Sequence, residues 1–219
     1  MAEKKPGRSV HSRLSGLDIK LSKSLSYILR HGAEKEGIRL DEGGFAFVDD
    51  ILARPHLKRF TFTDVERVVA DNDKQRFSLI IDKDTGRSKI RANQGHTLEI
   101  PDLELIPLTK PKEVPIAVHG TYLRSWEMIR VQGLSRMKRN HIHLAPGEPG
   151  ESGVISGMRS SCEVLIGIDT AKALEAGIKF FKSANNVILS PGNEKGLIPP
   201  EFFRTAVRLK GQTREQLEF

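Results

Sequence analysis

Three arginines stand at the ends of expected helices or strands beside histidine or glycine: Arg30 with His31 in "YILRHG", Arg91 in "KIRANQGH" and Arg139 in "KRNHIHLA". Guanidinium groups are planar forks that match phosphate oxygens bidentately, so three of them brought to one point would cradle a phosphoryl group. At Arg30 and His31 a plainer role is also open, because cations at a helix C-terminus offset the partial negative charge of its unpaired carbonyls. Metal binding is a second candidate chemistry. His141 and His143 in "HIH" share one side of a strand, since side-chain direction repeats every two residues. Zinc needs further ligands, and one cysteine, Cys162, with no neighbouring carboxylate cluster leaves the set incomplete. No metal is expected, and the pair faces a ligand or packs. Acidic residues sit mostly beside basic ones, as in "DVERVVADNDK", which describes a solvated helix face. Neither G-x-x-x-x-G-K-[ST] nor G-x-G-x-x-G after a strand occurs, so P-loop and doubly wound dinucleotide binding are unsupported.

The elements that must position these groups follow from periodicity. Leu17, Leu21, Leu25, Ile28 and Leu29 have the three-and-four spacing of an amphipathic helix, with Gly32 as its stop. Phe47, Val48, Ile51 and Leu52 form a brief second helix broken by Pro55. A third helix is expected in "TFTDVERVVADND", with Thr63 and Glu66 as its capping box. The period then changes: "RFSLIID", the turn "KDTG" and "RSKIRA" read as a hairpin. Three helices and a hairpin over residues 17–100 predict a winged helix, a module that often meets nucleic acid, and Arg87 and Lys89 on the hairpin are its candidate RNA contacts. Residues 101–115, with four prolines, read as an extended linker. Residues 116–210 alternate strands, "IAVHGTY", "HIHLA", "EVLIGID", "IKFFKSANNVILS" and "FRTAVRLK", with helices "SWEMIRVQG" and "TAKALEAG", so the class is α+β. Residues 1–16 read as a disordered basic arm and 211–219 as a tail.

Composition narrows the setting. The 219 residues, 38% hydrophobic, suffice for two small domains, and 35 Lys and Arg against 28 Asp and Glu give a formal +7, which suits a polyanionic partner. The single cysteine rules out an internal disulfide framework and points to a reducing intracellular compartment, cytoplasmic and/or nuclear. No apolar run approaches the ~20 residues that cross a bilayer, so no membrane partner is expected.

Four segments in order, "LSKSLSYILRHG", "IRANQGH", "VHGTY" and "RNHIHLA", closely resemble the NAD-dependent RNA 2′-phosphotransferases, over about residues 20 to 210 and most like a eukaryotic member. The resemblance implies an amino-terminal winged-helix lobe for RNA and a carboxy-terminal ADP-ribosyltransferase-like lobe for NAD. It implies removal of the internal 2′-phosphate left at a tRNA splice junction, with NAD consumed as co-substrate and no metal. The RNA phosphate attacks the nicotinamide-bearing ribose carbon; the ribose 2″-hydroxyl then displaces the RNA, leaving 2′-hydroxyl RNA and ADP-ribose 1″,2″-cyclic phosphate. The family's Arg-His-Arg-Arg set carries over to Arg30, His31, Arg91 and Arg139. In it, His31 does the proton work of the second step or positions the phosphate. His119, Gly120 and Thr121 of "HGT" would hold the nicotinamide-side ribose. His141, His143 and Arg159 would line the same cleft. Lys138, beside Arg139 but outside the family's set, reads as a general phosphate contact on the RNA path. A monomer is expected. Two rivals keep the residues but change the outcome: an enzyme that leaves ADP-ribose on an RNA terminal phosphate, and a catalytically silent RNA-binding protein.

Overall fold

The computed structural model describes residues 15–148, 154, 158, 161–211 and 213–219. Its architecture is α+β, with mixed helix and antiparallel sheet. The first helix, α1 (Gly16–Tyr27), opens at Ser15, whose hydroxyl accepts from the Asp18 amide while the Asp18 carboxylate accepts from the Ser15 amide. Leu21 and Leu25 bury the inner face of α1. At Ile28–Gly32 the helix widens into a π-turn that contains Arg30 and His31. Such turns rotate the following side chains relative to an α-helical frame, a device common at functional sites.

Gly32 is not the stop. Helical turns continue past it to Gly37, whose φ of +62° is the left-handed conformation that ends such runs. Gly32 lacks a side chain for another reason: a Cβ there would collide with the Tyr27 ring.

Next come β1 (Ala46–Phe47), α2 (Val48–Leu52) and α3 (Phe62–Ala70). The cap of α3 is Thr61 with Asp64, two residues before the expected Thr63 and Glu66. Both pairs fit the box. The choice follows from the apolar staple, because a Thr61 cap pairs Phe60 with Val65, both buried, whereas a Thr63 cap would pair exposed Phe62 with charged Arg67. Arg67 bridges from α3 to Asp18 of α1 at 2.7 Å, fixing the two helices together. The hairpin β2 (Phe77–Ile81) and β3 (Ser88–Ala92) joins β1 in a three-stranded sheet of order β1-β3-β2.

The supposed linker is partly strand: Leu105–Leu108 forms β4, the edge of a sheet ordered β4-β9-β10-β7. Pro107 lies in that edge strand, where its missing N–H costs no ladder bond on the open side. The rest of this half is β5 (Val118–Thr121), α4 (Leu123–Gln132) ended at Gly133, β6 (Leu134–Ser135), β7 (Ile142–Leu144), β8 (Val164–Ile168), α5 (Thr170–Glu175), β9 (Phe180–Ser183), β10 (Ile188–Ser190), β11 (Leu197–Ile198), β12 (Phe203–Lys210) and β13 (Thr213–Gln216). A second four-stranded sheet has the order β13-β12-β8-β5, and the two sheets meet where Val118 of β5 and Ala145, just after β7, exchange backbone hydrogen bonds.

Buried apolar residues divide accordingly. One cluster is drawn from residues 21–92 and includes Leu21, Leu25, Ile51, Val65 and Ile90. A second runs from Leu108 to Ala206 around Trp126, Ile166 and Phe180. Hydrogen bonds tie the halves together: the Asn140 amide donates to the His96 carbonyl at 3.1 Å, and the Asn185 side-chain amide to the Lys74 carbonyl at 2.9 Å. No helix among the described residues is long and apolar enough to cross a membrane.

Candidate active site

Where the two halves meet, a cleft of about 430 Å³ is lined by Arg30, Arg76 and Arg139 on one side and by His119, Gly120 and Thr121 on another, with His143, Tyr122, Lys74 and Gln94 completing it. Each contributor is placed by its element. Arg30 comes from the π-turn after α1, and its guanidinium lies over Gly95, whose φ of +90° is a conformation that favours glycine. Arg139 lies in the turn between β6 and β7, pinned by Asn140, whose side-chain amide donates to the Leu98 carbonyl at 2.8 Å. His119 to Thr121 run along β5 and His143 lies in β7, at the seam of the two sheets.

Arg76 closes the set, and sequence reasoning missed it. It immediately precedes β2 in "NDKQRF", after Gln75 at a φ of +44°. Two buried asparagines shape this loop: Asn72 accepts from the Lys74 amide and from Arg76 Nη1, and Asn93 donates to the Gln75 carbonyl at 2.8 Å. A signal was available, since Arg76 also begins a strand, but no histidine or glycine stands beside it to draw attention.

The guanidinium of Arg30 is mostly buried, and its Nε and Nη2 have no hydrogen-bond partner among the described residues. Burial, reinforced by the positive charges of Arg76 and Arg139, pushes its pKa down to about 10, so it is still cationic at neutral pH. Burial also lowers the pKa of Arg76. Desolvated donors of like charge facing one cleft are unfavourable alone and are relieved by an anion.

His31 Nδ1 lies 3.0 Å from Thr97 Oγ1, and that hydroxyl donates its own proton to the Arg30 carbonyl. The threonine oxygen therefore accepts from His31 Nδ1–H, and neutral His31 presents a bare Nε2. Burial, then Arg30 and Arg139, lower its pKa, which keeps it neutral near pH 7. His119 follows the same logic: its Nδ1 is 2.9 Å from the His143 carbonyl, which can only accept, so Nε2 is left as an acceptor. Burial lowers its pKa too. Gly120 lines the cleft, but the space a Cβ would need is filled by Met158 and Cys162 Sγ, so its lack of a side chain first serves packing against those two residues.

Of the expected residues, then, Arg30, Arg139, His119, Gly120, Thr121 and His143 line one cleft, and His31 adjoins it. Arg91 does not. Its guanidinium is buried beneath Phe45, 4.7 Å from the ring centroid, and paired with Glu104 at 2.6 Å, so it serves the fold of the first half while Arg76 occupies the position expected of it. His141 precedes β7 and sets its ring against Phe181. The hairpin cations differ from expectation as well: Arg87 is bound by Asp49 and Asp50, and Lys89 by Asp82 and Asp41, so their charge is already matched. Lys138 is exposed beside Arg139. Arg159 lies outside the described residues. No cluster of three or more metal-ligating side chains occurs among the described residues.

A second cleft, of about 440 Å³, opens on the other side of the same arginines: Arg30 and Arg76 line it together with His31 and the outer face of α1.

Comparison with known proteins adds an independent line. Residues 17–192 match the family model described as RNA 2'-phosphotransferase, Tpt1 / KptA family. The chain is 53% identical over 198 residues to tRNA 2'-phosphotransferase 1 of Danio rerio, covering 88% of this chain and 87% of that one. It is 48% identical over 211 residues to tRNA 2'-phosphotransferase 1 of Homo sapiens, covering 96% and 83%. With tRNA 2'-phosphotransferase of Saccharomyces cerevisiae it shares 40% over 209 residues, covering 91% and 87%. With matched motifs, similarity over most of both chains and a shared family model, the chain belongs to the RNA 2′-phosphotransferase family.

Proposed function

We propose that this chain is an NAD-dependent RNA 2′-phosphotransferase that moves the internal 2′-phosphate of spliced tRNA onto NAD. On this reading residues 17–100 are a winged-helix lobe that holds RNA and residues 116–210 an ADP-ribosyltransferase-like lobe that holds NAD. The observation that carries it is the wall shared by two clefts: Arg30 and Arg76 face both, so a phosphate bound there touches whatever lies in each. The β5–β7 cleft fits the nicotinamide-side ribose of NAD, because His119 Nε2 is a bare acceptor for a hydroxyl and Gly120 and Thr121 line the cleft beside it. Bound NAD supplies an electrophilic ribose carbon and nicotinamide as leaving group.

The residues of this chain do the rest. Arg30, Arg76 and Arg139 hold the RNA phosphate at that carbon, lowering the entropic cost of attack and keeping the phosphate anionic. In the second step they stabilise charge on the phosphoryl oxygens, a contribution of several kcal/mol when donors are preorganised and dry. His31 Nε2, held free by the Thr97 anchor on Nδ1, takes the proton of the ribose 2″-hydroxyl as that oxygen attacks phosphorus. The bond from phosphorus to the RNA 2′-oxygen breaks, and that oxygen takes a proton from solvent to leave as the 2′-hydroxyl.

The test is incubation with NAD and an oligoribonucleotide bearing one internal 2′-phosphate. Release of nicotinamide, 2′-hydroxyl RNA and ADP-ribose 1″,2″-cyclic phosphate is expected. ADP-ribose retained on RNA as the end product would favour the rival transferase, and no nicotinamide at all would favour a silent RNA-binding protein.

A further inference from the structure

The cleft on the α1 side has a construction of its own. Ile19, Ser22, Lys23, Ser26 and Tyr27 run along one face of α1 toward Arg30, at the three-and-four spacing that aligns side chains on a helix. The two serines are small and leave a groove. Its rims are Lys23, which is exposed and has no ion-pair partner among the described residues, and two exposed apolar groups, Ile19 at 45% and Tyr27 at 44%. Tyr27 does not swing freely: its ring lies against Gly32 in the π-turn, where even a methyl group would collide with it. The Cδ1–Cε1–Cζ side of the aromatic ring is thus held by the same turn that carries Arg30 and His31. An immobilised, half-exposed ring beside unpaired cations is the arrangement with which proteins stack a base while holding its backbone.

We propose that Tyr27 is a stacking platform for a nucleobase adjoining the 2′-phosphorylated nucleotide, and that the Ser22–Ser26 groove, with Lys23, leads the RNA strand to the shared arginines. This rests on the functional reading above, which assigns the α1 cleft to RNA and the β5–β7 cleft to NAD. It replaces the hairpin as the RNA contact, since Arg87 and Lys89 are occupied by carboxylates. An RNA strand is favoured over NAD for this groove because Lys23 and Arg30 have no carboxylate partner among the described residues and the groove continues beyond the arginines along α1.

The experiment uses the full chain and labelled oligoribonucleotides with one internal 2′-phosphate, either complete or with an abasic sugar placed in turn 5′ and 3′ of the phosphorylated nucleotide. Affinity is read by fluorescence anisotropy and turnover by nicotinamide release. For the unaltered protein, one abasic position is expected to weaken binding roughly 5- to 100-fold, the size of one base–aromatic stack. Tyr27→Ala should weaken binding of the complete RNA by a similar factor, raise KM for RNA without changing KM for NAD, and show no further loss with that abasic RNA. Tyr27→Phe, which keeps the ring, should restore dependence on the base. If neither abasic position matters to the unaltered protein, the platform is overturned without recourse to any variant. Additive losses from Tyr27→Ala and the abasic sugar would overturn it as well. Tight RNA binding without nicotinamide release would instead count against the functional reading and leave the stack measurable by anisotropy.

Discussion

Two groups of cations in the first half of the chain look alike in sequence and differ entirely in surroundings. On the hairpin, Arg87 and Lys89 are bound by four aspartates, and Arg91 is buried against Phe45 and paired with Glu104. At the clefts, Arg30 and Arg76 face each other and Arg139, with two buried nitrogens of Arg30 left without partners among the described residues. A cation that already has its carboxylate holds the protein together; a desolvated one that lacks it is waiting for an anion. Count and spacing of arginines do not separate these cases. Partnership does.

Breaking the cleft group should have the largest effect. Arg30→Ala or Arg139→Ala is expected to lower kcat for nicotinamide release by about a hundredfold or more, as loss of a transition-state contact to phosphoryl oxygen does, while after Arg30→Ala the thermal midpoint is kept or rises as buried like charge is removed. A loss of activity that tracked unfolding would put these arginines with the hairpin group.

His31 sharpens the same contrast by pH. Because its pKa is lowered and its working form is neutral, kcat should be level through neutral pH and fall only below the ordinary histidine range, as Nε2 becomes protonated. His31→Ala should lose that acidic limb together with most of the rate, whereas a limb unchanged in the variant would assign it to another group.

Stability against pH reads the neighbouring histidines. Burial pushes the pKa of His96 down to about 4 and that of His143 to about 3. The unfolded chain takes up these protons near pH 6.5, the folded one does not, so stability falls as pH drops from about 6.5 toward 4. His96 alone accounts for roughly 3 kcal/mol of that loss. The thermal midpoint of His96→Asn should therefore decline less steeply between those pH values; an equal slope would contradict the assignment. The smallest effect is expected on the hairpin, where Arg87→Ala should change KM for RNA by no more than about twofold, since surface pairs contribute little. A large rise would return the hairpin to the RNA path.

How far all this was legible depends on range. Local rules found α1, α2, the hairpin, α4 with its Gly133 stop and most strands of the second half, because their periods and turns are written in adjacent residues. They failed where a distant partner decides. Leu105–Leu108 reads as linker until β9 pairs with it, and Thr61 outcompetes Thr63 only because Phe60 and Val65 share a core. Arg91 resembled a site residue until Glu104 and Phe45 claimed it, and Arg76 is recruited by a loop whose shape comes from Asn72 and Asn93. The cleft residues on β5 and β7 were found from the resemblance of "HGT" and "HIH" to family motifs, with His141 turned toward Phe181 instead.

The most direct test sets Arg76 against Arg91, each replaced by alanine, with nicotinamide release from NAD and 2′-phosphorylated RNA measured per folded molecule. The shared wall predicts that Arg76→Ala abolishes release, by about a hundredfold or more, while Arg91→Ala lowers thermal stability and leaves kcat within a few-fold. Full turnover in Arg76→Ala together with a stable, inactive Arg91→Ala would contradict it.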